Sequence, residues 1–267
     1  MAGTDSIRRS SQEKMLGLLD AFSDDSPLWS AEDLIARSGL TASTCYRYLK
    51  SLHSAGLLAR VGSGSYAIGP RVLELDRVSR LSDPIFSMGK PVIRSLAQRT
   101  GFSALLSILY SDSVMCVQQE PAGEVPAGLF GRGQRRPLVA GATANVILAH
   151  LPHHQLRAVF GKHRDAIERA RLGTDWDTFR SSLRAIRQQG HAYSAGEYRP
   201  GIAGLAAPLF NREGDVLGSI ALATSTGSPR LAEFRTLAPA VIEAAARISH
   251  NIGESARSAD LPARALG

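Results

Sequence analysis

Ser38-Gly39-Leu40-Thr41 separates two segments with the apolar spacing of helices, and this break forbids one continuous helix through that part of the chain. Upstream, Met15, Leu18, Leu19 and Phe22 recur at i, i+3, i+4 and i+7, which predicts a helix over about residues 9–22 with one buried face. Ser23-Asp24-Asp25-Ser26-Pro27 closes it. Ser30 stands three residues before Asp33, a capping-box-like start with Asp in place of Glu or Gln, so a second helix is expected over about residues 30–38, ended by Gly39. Thr41 is positioned to cap a third, over about residues 42–54, whose apolar stripe is Cys45, Tyr48, Leu49 and Leu52. Two short helices across so short a connection have the proportions of a helix-turn-helix.

Charge is segregated over the same stretch. From Leu34 to Leu73 there is no Asp or Glu, while Arg37, Arg47, Lys50, Arg60 and Arg71 all fall there. The whole chain carries 31 Lys and Arg against 24 Asp and Glu, a net charge of +7 that favours an anionic partner. Opposite the apolar stripe, the third helix presents Ser43, Thr44, Arg47 and Lys50, with Tyr46 at the margin. Small hydroxyls at a helix N-terminus can approach phosphate, and an arginine one turn later reaches base edges in a major groove. After Gly56, Leu57–Val61, Gly62-Ser63-Gly64 and Ser65–Ile68 read as a hairpin, the wing, from which Arg60 meets the neighbouring phosphates. The residues expected to bind double-stranded DNA are therefore Ser43, Thr44, Tyr46, Arg47, Lys50 and Arg60.

Gly69-Pro70 opens a further helix that carries Arg77 and Arg80 near its end, and Asp83-Pro84 starts another with Ile85, Met88, Val92 and Leu96 on one side and Gly101 as its stop. Strands are expected over about residues 103–109 and 113–119 around Tyr110-Ser111-Asp112, and over about 205–210 and 216–223 around Asn211-Arg212-Glu213-Gly214. Helical stretches fall near 142–151, 153–160, 175–189 and 230–255, and the polar tail after Glu254 is expected to fray. Strand pairs separated by helices describe an α+β sheet layered with helices. The expected organisation is a DNA-binding domain over residues 1–69, a linker helix over 70–83 and a second domain over 84–267.

Composition narrows the function classes. Hydrophobic residues at 44% and charged residues at 21% are ordinary globular usage, and 267 residues suit two modest domains. With no apolar run of membrane-spanning length and no signal-like N-terminus, the expectation is a soluble cytoplasmic chain without a membrane partner. Cys45 and Cys116 are too few for a disulfide framework. His150-x-x-His153-His154 resembles a ligand cluster, but Pro152 interrupts any helix that would align the rings and no HExxH pattern completes it. Gly62-x-Gly64 and Gly128-x-x-Gly131-x-Gly133 match no phosphate-binding fingerprint, and Ser11-x-x-Lys14 lacks supporting motifs. No metal, cofactor or catalytic constellation is expected, and so no enzyme. Arg132, Arg135 and Arg136 form a basic cluster that suits either DNA or the mouth of a ligand site.

Gly39-Leu40-Thr41-Ala42-Ser43-Thr44-Cys45-Tyr46-Arg47-Tyr48-Leu49, the following Ala55-Gly56-Leu57-Leu58, and Gly190-His191-Ala192-Tyr193-Ser194-Ala195-Gly196-Glu197 with Gly201 and Ala206-Ala207-Pro208-Leu209-Phe210 resemble the IclR family of bacterial transcriptional regulators. The resemblance covers roughly residues 8–255. It implies a winged helix-turn-helix, a linker helix that dimerises, and a GAF-like effector-binding domain that pairs dimers into tetramers, in a repressor or activator of a catabolic operon. The effector positions it implies are Ala142 and Thr143 at a helix start, then Ser194, Gly204, Ala221 and Ala223, with Arg136 and Ile202 along the wall. Relatives that bind small oxo-acids tend to show Asp, Cys and two Ser at the positions of Ser194, Gly204, Ala221 and Ala223, and Gly-Lys-Ala at Ala144-Asn145-Val146. The resemblance thus implies a wider, less polar cavity and a small carboxylate effector, an aromatic acid rather than glyoxylate or pyruvate. The alternative is a small-molecule sensor or enzyme whose winged helix serves protein contacts.

Overall fold

The computed structural model describes residues 10–62, 64–123, 125–139, 141–197 and 199–258, with side chains as far as residue 255. The chain divides into two compact units between Ser82 and Asp83.

The first unit begins with α1 (Ser11–Leu16), closed by a capping box between Ser10 and Glu13. The single helix expected over 9–22 is α-helical only through Leu16; it tightens into a 3-10 turn over Gly17–Ala21, where glycine is the poorest helix former short of proline. Then come β1 (Trp29–Ser30), α2 (Ala31–Ser38), α3 (Ala42–Ser54), the hairpin strands β2 (Leu58–Val61) and β3 (Ser65–Ile68), and α4 (Arg71–Ser82). The Ser30 hydroxyl accepts from the Asp33 amide and donates to the Asp33 carboxylate, at 3.0 and 2.7 Å. Gly39 takes φ +66° and donates its amide to the Ile35 carbonyl. Thr41 holds the N-cap position of α3, but its hydroxyl does not cap the backbone as expected: it donates to Thr44 Oγ1 at 2.9 Å, because the first turn offers competing hydroxyls.

The sheet order is β1-β3-β2, all antiparallel, with Leu58 opposite Ile68 and Val61 opposite Ser65. The two-residue β1 was not anticipated, being too short to show alternation. Ser63, part of the expected hairpin turn, lies outside the described residues. Leu18, Leu34, Cys45, Leu49, Leu52 and Leu58 are buried together with Tyr48 and Tyr66. The predicted stripe of α3 is thus the face that enters the core. By contrast, α4 buries none of its residues.

The second unit opens with α5 (Pro84–Thr100), capped by the Asp83 carboxylate at the Ile85 amide and ended by Gly101 at φ +71°. Its strands are β4 (Ser103–Tyr110), β5 (Ser113–Glu120), β6 (Arg135–Pro137), β7 (Ala192–Ala195), β8 (Ile202–Phe210) and β9 (Val216–Ser225). They form one antiparallel sheet in the order β6-β5-β4-β9-β8-β7. The edge strands β6 and β7 were not expected. The helices are α6 (Ala142–Leu148), α7 (His153–Lys162), α8 (Arg164–Arg169), α9 (Trp176–Gln189), α10 (Leu231–Thr236) and α11 (Ala238–Ser258). Two helical expectations change. The stretch 142–151 is helical only to Leu148, and 230–255 is two helices because Pro239, which has no amide to donate, restarts the chain as the first turn of α11. The frayed tail was expected after Glu254, yet α11 continues through Ser258; residues 259–267 lie outside those described.

Alternation along the strands sends side chains to two cores. Leu106, Leu205, Leu222 and Ile220 pack with Ile93 and Leu96 of α5, and with Val241 and Ile248 of α11. On the opposite face Leu105, Val114, Cys116, Ala206 and Ala221 pack with Val146 and Ile147 of α6, and with Phe179 and Leu183 of α9. The architecture is an N-terminal winged helix-turn-helix followed by an α+β, GAF-like domain.

Candidate functional site

Two constellations concern function, one in each unit. On α3, Ser43, Tyr46, Arg47 and Lys50 are exposed and Thr44 is half-buried. The Arg47 guanidinium lies 5.5 Å from the Tyr48 ring centroid, and Arg60, exposed on β2, lies 5.8 Å from that of Tyr66. All six sequence-predicted DNA contacts therefore sit on helix three or the wing, away from the core. One partner was not foreseen. Tyr46 donates its hydroxyl to Glu32 Oε1 at 3.1 Å, and this hydrogen bond, reinforced by the carboxylate charge, holds the Tyr46 pKa above its ordinary value. Glu32 precedes the acid-free window in sequence, yet α2 folds it against the face of α3.

In the second unit a cavity opens where the first turn of α6 meets β7, β8, β9 and β4. Arg136, Ala142, Thr143, Ser194, Ile202, Gly204, Ala221 and Ala223 all line it. Its floor follows from the strand register. Ser194, Gly204 and Ala223 stand side by side across β7, β8 and β9, and the next row runs Ala206, Ala221, Leu105. Gly204 lies in crowded surroundings: a Cβ there would sit 3.1 Å from Ser194 Oγ and 3.5 Å from Ala142 Cβ. Ser194 Oγ accepts from the Ala142 amide at 3.0 Å, and Ser219 Oγ donates to the Thr143 carbonyl at 3.2 Å, so both sheet and hydroxyls hold the helix start in place. The Thr143 and Ala144 amides also belong to the first turn and have no acceptor within the helix.

Arg136 gives the cavity wall a half-buried positive charge. Its guanidinium lies 3.9 Å from the centroid of Phe130, another lining residue. The rest of the arginine cluster separates: Arg132 Nε donates to the Val117 carbonyl and Arg135 lies over Tyr110. Sequence reasoning missed Leu105, Val114, Leu129, Phe130, Gly196 and Arg199 among the lining residues. Register with Ala221 could have found Leu105. Nothing local could have found Arg199, which donates to the Gly128 carbonyl at 2.9 Å across 71 residues. The void is narrow, about 40 Å³ to the centre of a water-sized sphere, and so is not the wide cavity expected from the small residues at Gly204, Ala221 and Ala223, because the bulkier Leu105, Leu129, Phe130 and Arg136 line it as well. No Asp or Glu lines it among the described residues.

Of the three histidines, His150 and His153 pack against aromatic rings and His154 is exposed. His150 Nδ1 lies 2.8 Å from the Val146 carbonyl with its ring against Phe210, and burial lowers its pKa; His153 packs edge-on to Trp176.

Residues 11–62 match the family model for the IclR helix-turn-helix domain, and residues 79–250 match that for the bacterial transcriptional regulator IclR C-terminal domain. The chain is 27% identical to the HTH-type transcriptional regulator KipR of Bacillus subtilis over 242 residues, covering 90% of this chain and 96% of KipR. It is 28% identical to the HTH-type transcriptional regulator BhcR of Paracoccus denitrificans over 239 residues, covering 89% and 85%. Among solved structures, the IclR homolog of Microbacterium hydrocarbonoxydans complexed with 4-hydroxybenzoate shares the fold at a TM-score of 0.76 and 21% identity, covering 94% of this chain and all of that one. The IclR transcriptional regulator of Alicyclobacillus acidocaldarius does so at 0.79 and 23%, covering 91% and 98%. The chain belongs to the IclR family of bacterial transcriptional regulators, with an N-terminal DNA-binding helix-turn-helix domain and a C-terminal effector-binding domain.

Proposed function

We propose that this protein is a ligand-responsive regulator of a catabolic operon whose effector is a small organic acid, an aromatic carboxylate being the class that the apolar walls favour. The carrying observation is the cavity itself: Arg136 supplies positive charge, Phe130, Leu105 and Val114 supply apolar walls, and no described carboxylate opposes an anion. The solved relative bound to 4-hydroxybenzoate supports the same class. Residues 1–69 form the operator-reading domain, 70–83 the linker and 84–267 the sensing domain. On α3, Arg47 reads base edges, Ser43, Thr44 and Tyr46 approach the backbone and Lys50 neutralises phosphate, as Arg60 does from the wing.

The protein works as a dimer, and pairs of dimers form tetramers. Val72, Leu73, Leu75, Val78 and Leu81 of α4 are all exposed within the chain, an apolar surface that a second copy covers. Two recognition helices then reach successive major grooves of a pseudo-palindromic site. An effector shifts the arrangement of that assembly only by binding one arrangement more tightly than the other.

A mobility-shift assay on DNA from upstream of its own gene, with and without substituted benzoates and short oxo-acids, tests this reading. Sequence-selective binding that a benzoate alters, and that Arg136→Met no longer lets it alter, is the expected result. Absence of a selective shift at every ligand concentration overturns the regulatory reading, and a response to short oxo-acids alone overturns the aromatic one.

A further inference from the structure

We infer that the effector carries two acidic groups, one held by Arg136 inside the cavity and one by Arg199 at its rim. This rests on the organic-acid reading above and specifies it. The cavity is lined by two guanidinium groups at different depths: Arg136 is half-buried on β6, and Arg199 is exposed in the turn between β7 and β8. A monoacid bound at Arg136 leaves the outer charge without a carboxylate partner, whereas a molecule with acidic groups at both ends and an apolar middle matches inner cation, apolar wall and outer cation in turn. Guanidinium suits this task because its planar set of donors meets a carboxylate two atoms at a time.

Arg199 is positioned rather than adrift. It donates to the Gly128 carbonyl at 2.9 Å, and its guanidinium lies across Gly128 so closely that a Cβ there would come within 2.5 Å of Arg199 Cζ. Gly128 also sits at φ +71°, a conformation that glycine takes at no steric cost. The nearest acid on the same turn, Glu197, is directed onto the Ala195 amide and does not line the cavity. The arrangement therefore presents Arg199 to the rim with donors to spare beyond the one given to Gly128.

Isothermal titration of the full-length protein with two matched pairs, terephthalate against 4-methylbenzoate and adipate against hexanoate, tests the inference. Each pair keeps the frame and removes one carboxylate. The expected result is that the diacid of at least one pair binds about five- to tenfold tighter than its monoacid partner. Arg199→Gln should reduce the diacid to monoacid affinity and leave the monoacid unchanged. Gly128→Ala should do the same with the charge intact, because the added methyl displaces the guanidinium. Equal binding of diacid and monoacid in both pairs, or a diacid advantage that survives Arg199→Gln, overturns the role of the second cation and leaves the organic-acid reading standing. No binding by any of the four acids overturns both.

Discussion

The Ala142 amide donates to the Ser194 hydroxyl at 3.0 Å, tying an edge strand of the sheet to the first turn of a helix 52 residues earlier in the chain. Both residues are buried, and the amide has no acceptor within its own helix. Ser194→Ala should therefore cost about 1–3 kcal/mol, the penalty for a buried donor without a partner. Urea denaturation of the second unit's transition checks this, while affinity for operator DNA in the absence of effector should stay unchanged. Gly204→Ala should lower stability in the same direction, since its methyl would crowd Ser194 Oγ.

Substitutions on the DNA-facing surface should separate by kind. Arg47→Ala is expected to weaken the cognate site by about 1–3 kcal/mol and relax base preference there. Lys50→Ala and Arg60→Ala should weaken all duplexes alike and flatten the dependence of affinity on salt. Competition binding across single-base operator variants at two salt concentrations reads both effects. Unchanged discrimination in Arg47→Ala would show that α3 enters the groove by another face.

Glu32 places a carboxylate against the recognition helix, where its hydrogen bond to Tyr46 raises the tyrosine pKa. Removing that negative charge from a phosphate-facing surface favours binding. Glu32→Gln should tighten DNA affinity about two- to fivefold at low salt, with the gain shrinking as salt screens it. A weaker complex would mean that Tyr46 must be held by Glu32 to be useful.

Burial pushes the Cys116 thiol up to about 12, from an ordinary 9.0, and its Sγ donates to the Gln118 carbonyl. The unfolded chain ionises this group first, so its contribution to stability is complete below pH 9 and is lost as pH rises from 9 toward 12. Thiol reagents at pH 8 should accordingly label Cys116 only after denaturation, as mass spectrometry of the labelled peptide would reveal. Cys116→Ala should flatten the alkaline decline in thermal midpoint.

Local chemistry was legible where neighbours in sequence are neighbours in space. The bounds of α3, its buried stripe at Cys45, Tyr48, Leu49 and Leu52, and the glycine that ends α2 all follow from spacing within a few residues. The helix spacing at Met15 to Phe22 was read correctly as apolar periodicity, but its tightening at Gly17 depends on a balance too small for a pattern to report. The edge strands β6 and β7 are only three and four residues long, and β7 alternates on small residues such as Ala192 and Ser194, whose burial comes from the elements around them.

Residue order was enough to establish a helix-turn-helix whose third helix and hairpin wing carry bases and no acid, and a second, mixed layer, because caps, periodicity and charge act over one or two turns. Folding alone brought Arg136 and Arg199 to one cavity, set Gly128 beneath a guanidinium from 71 residues away and carried Glu32 onto α3. Those relationships depend on strand register and loop path, which arise from the packing of distant segments and leave no local trace.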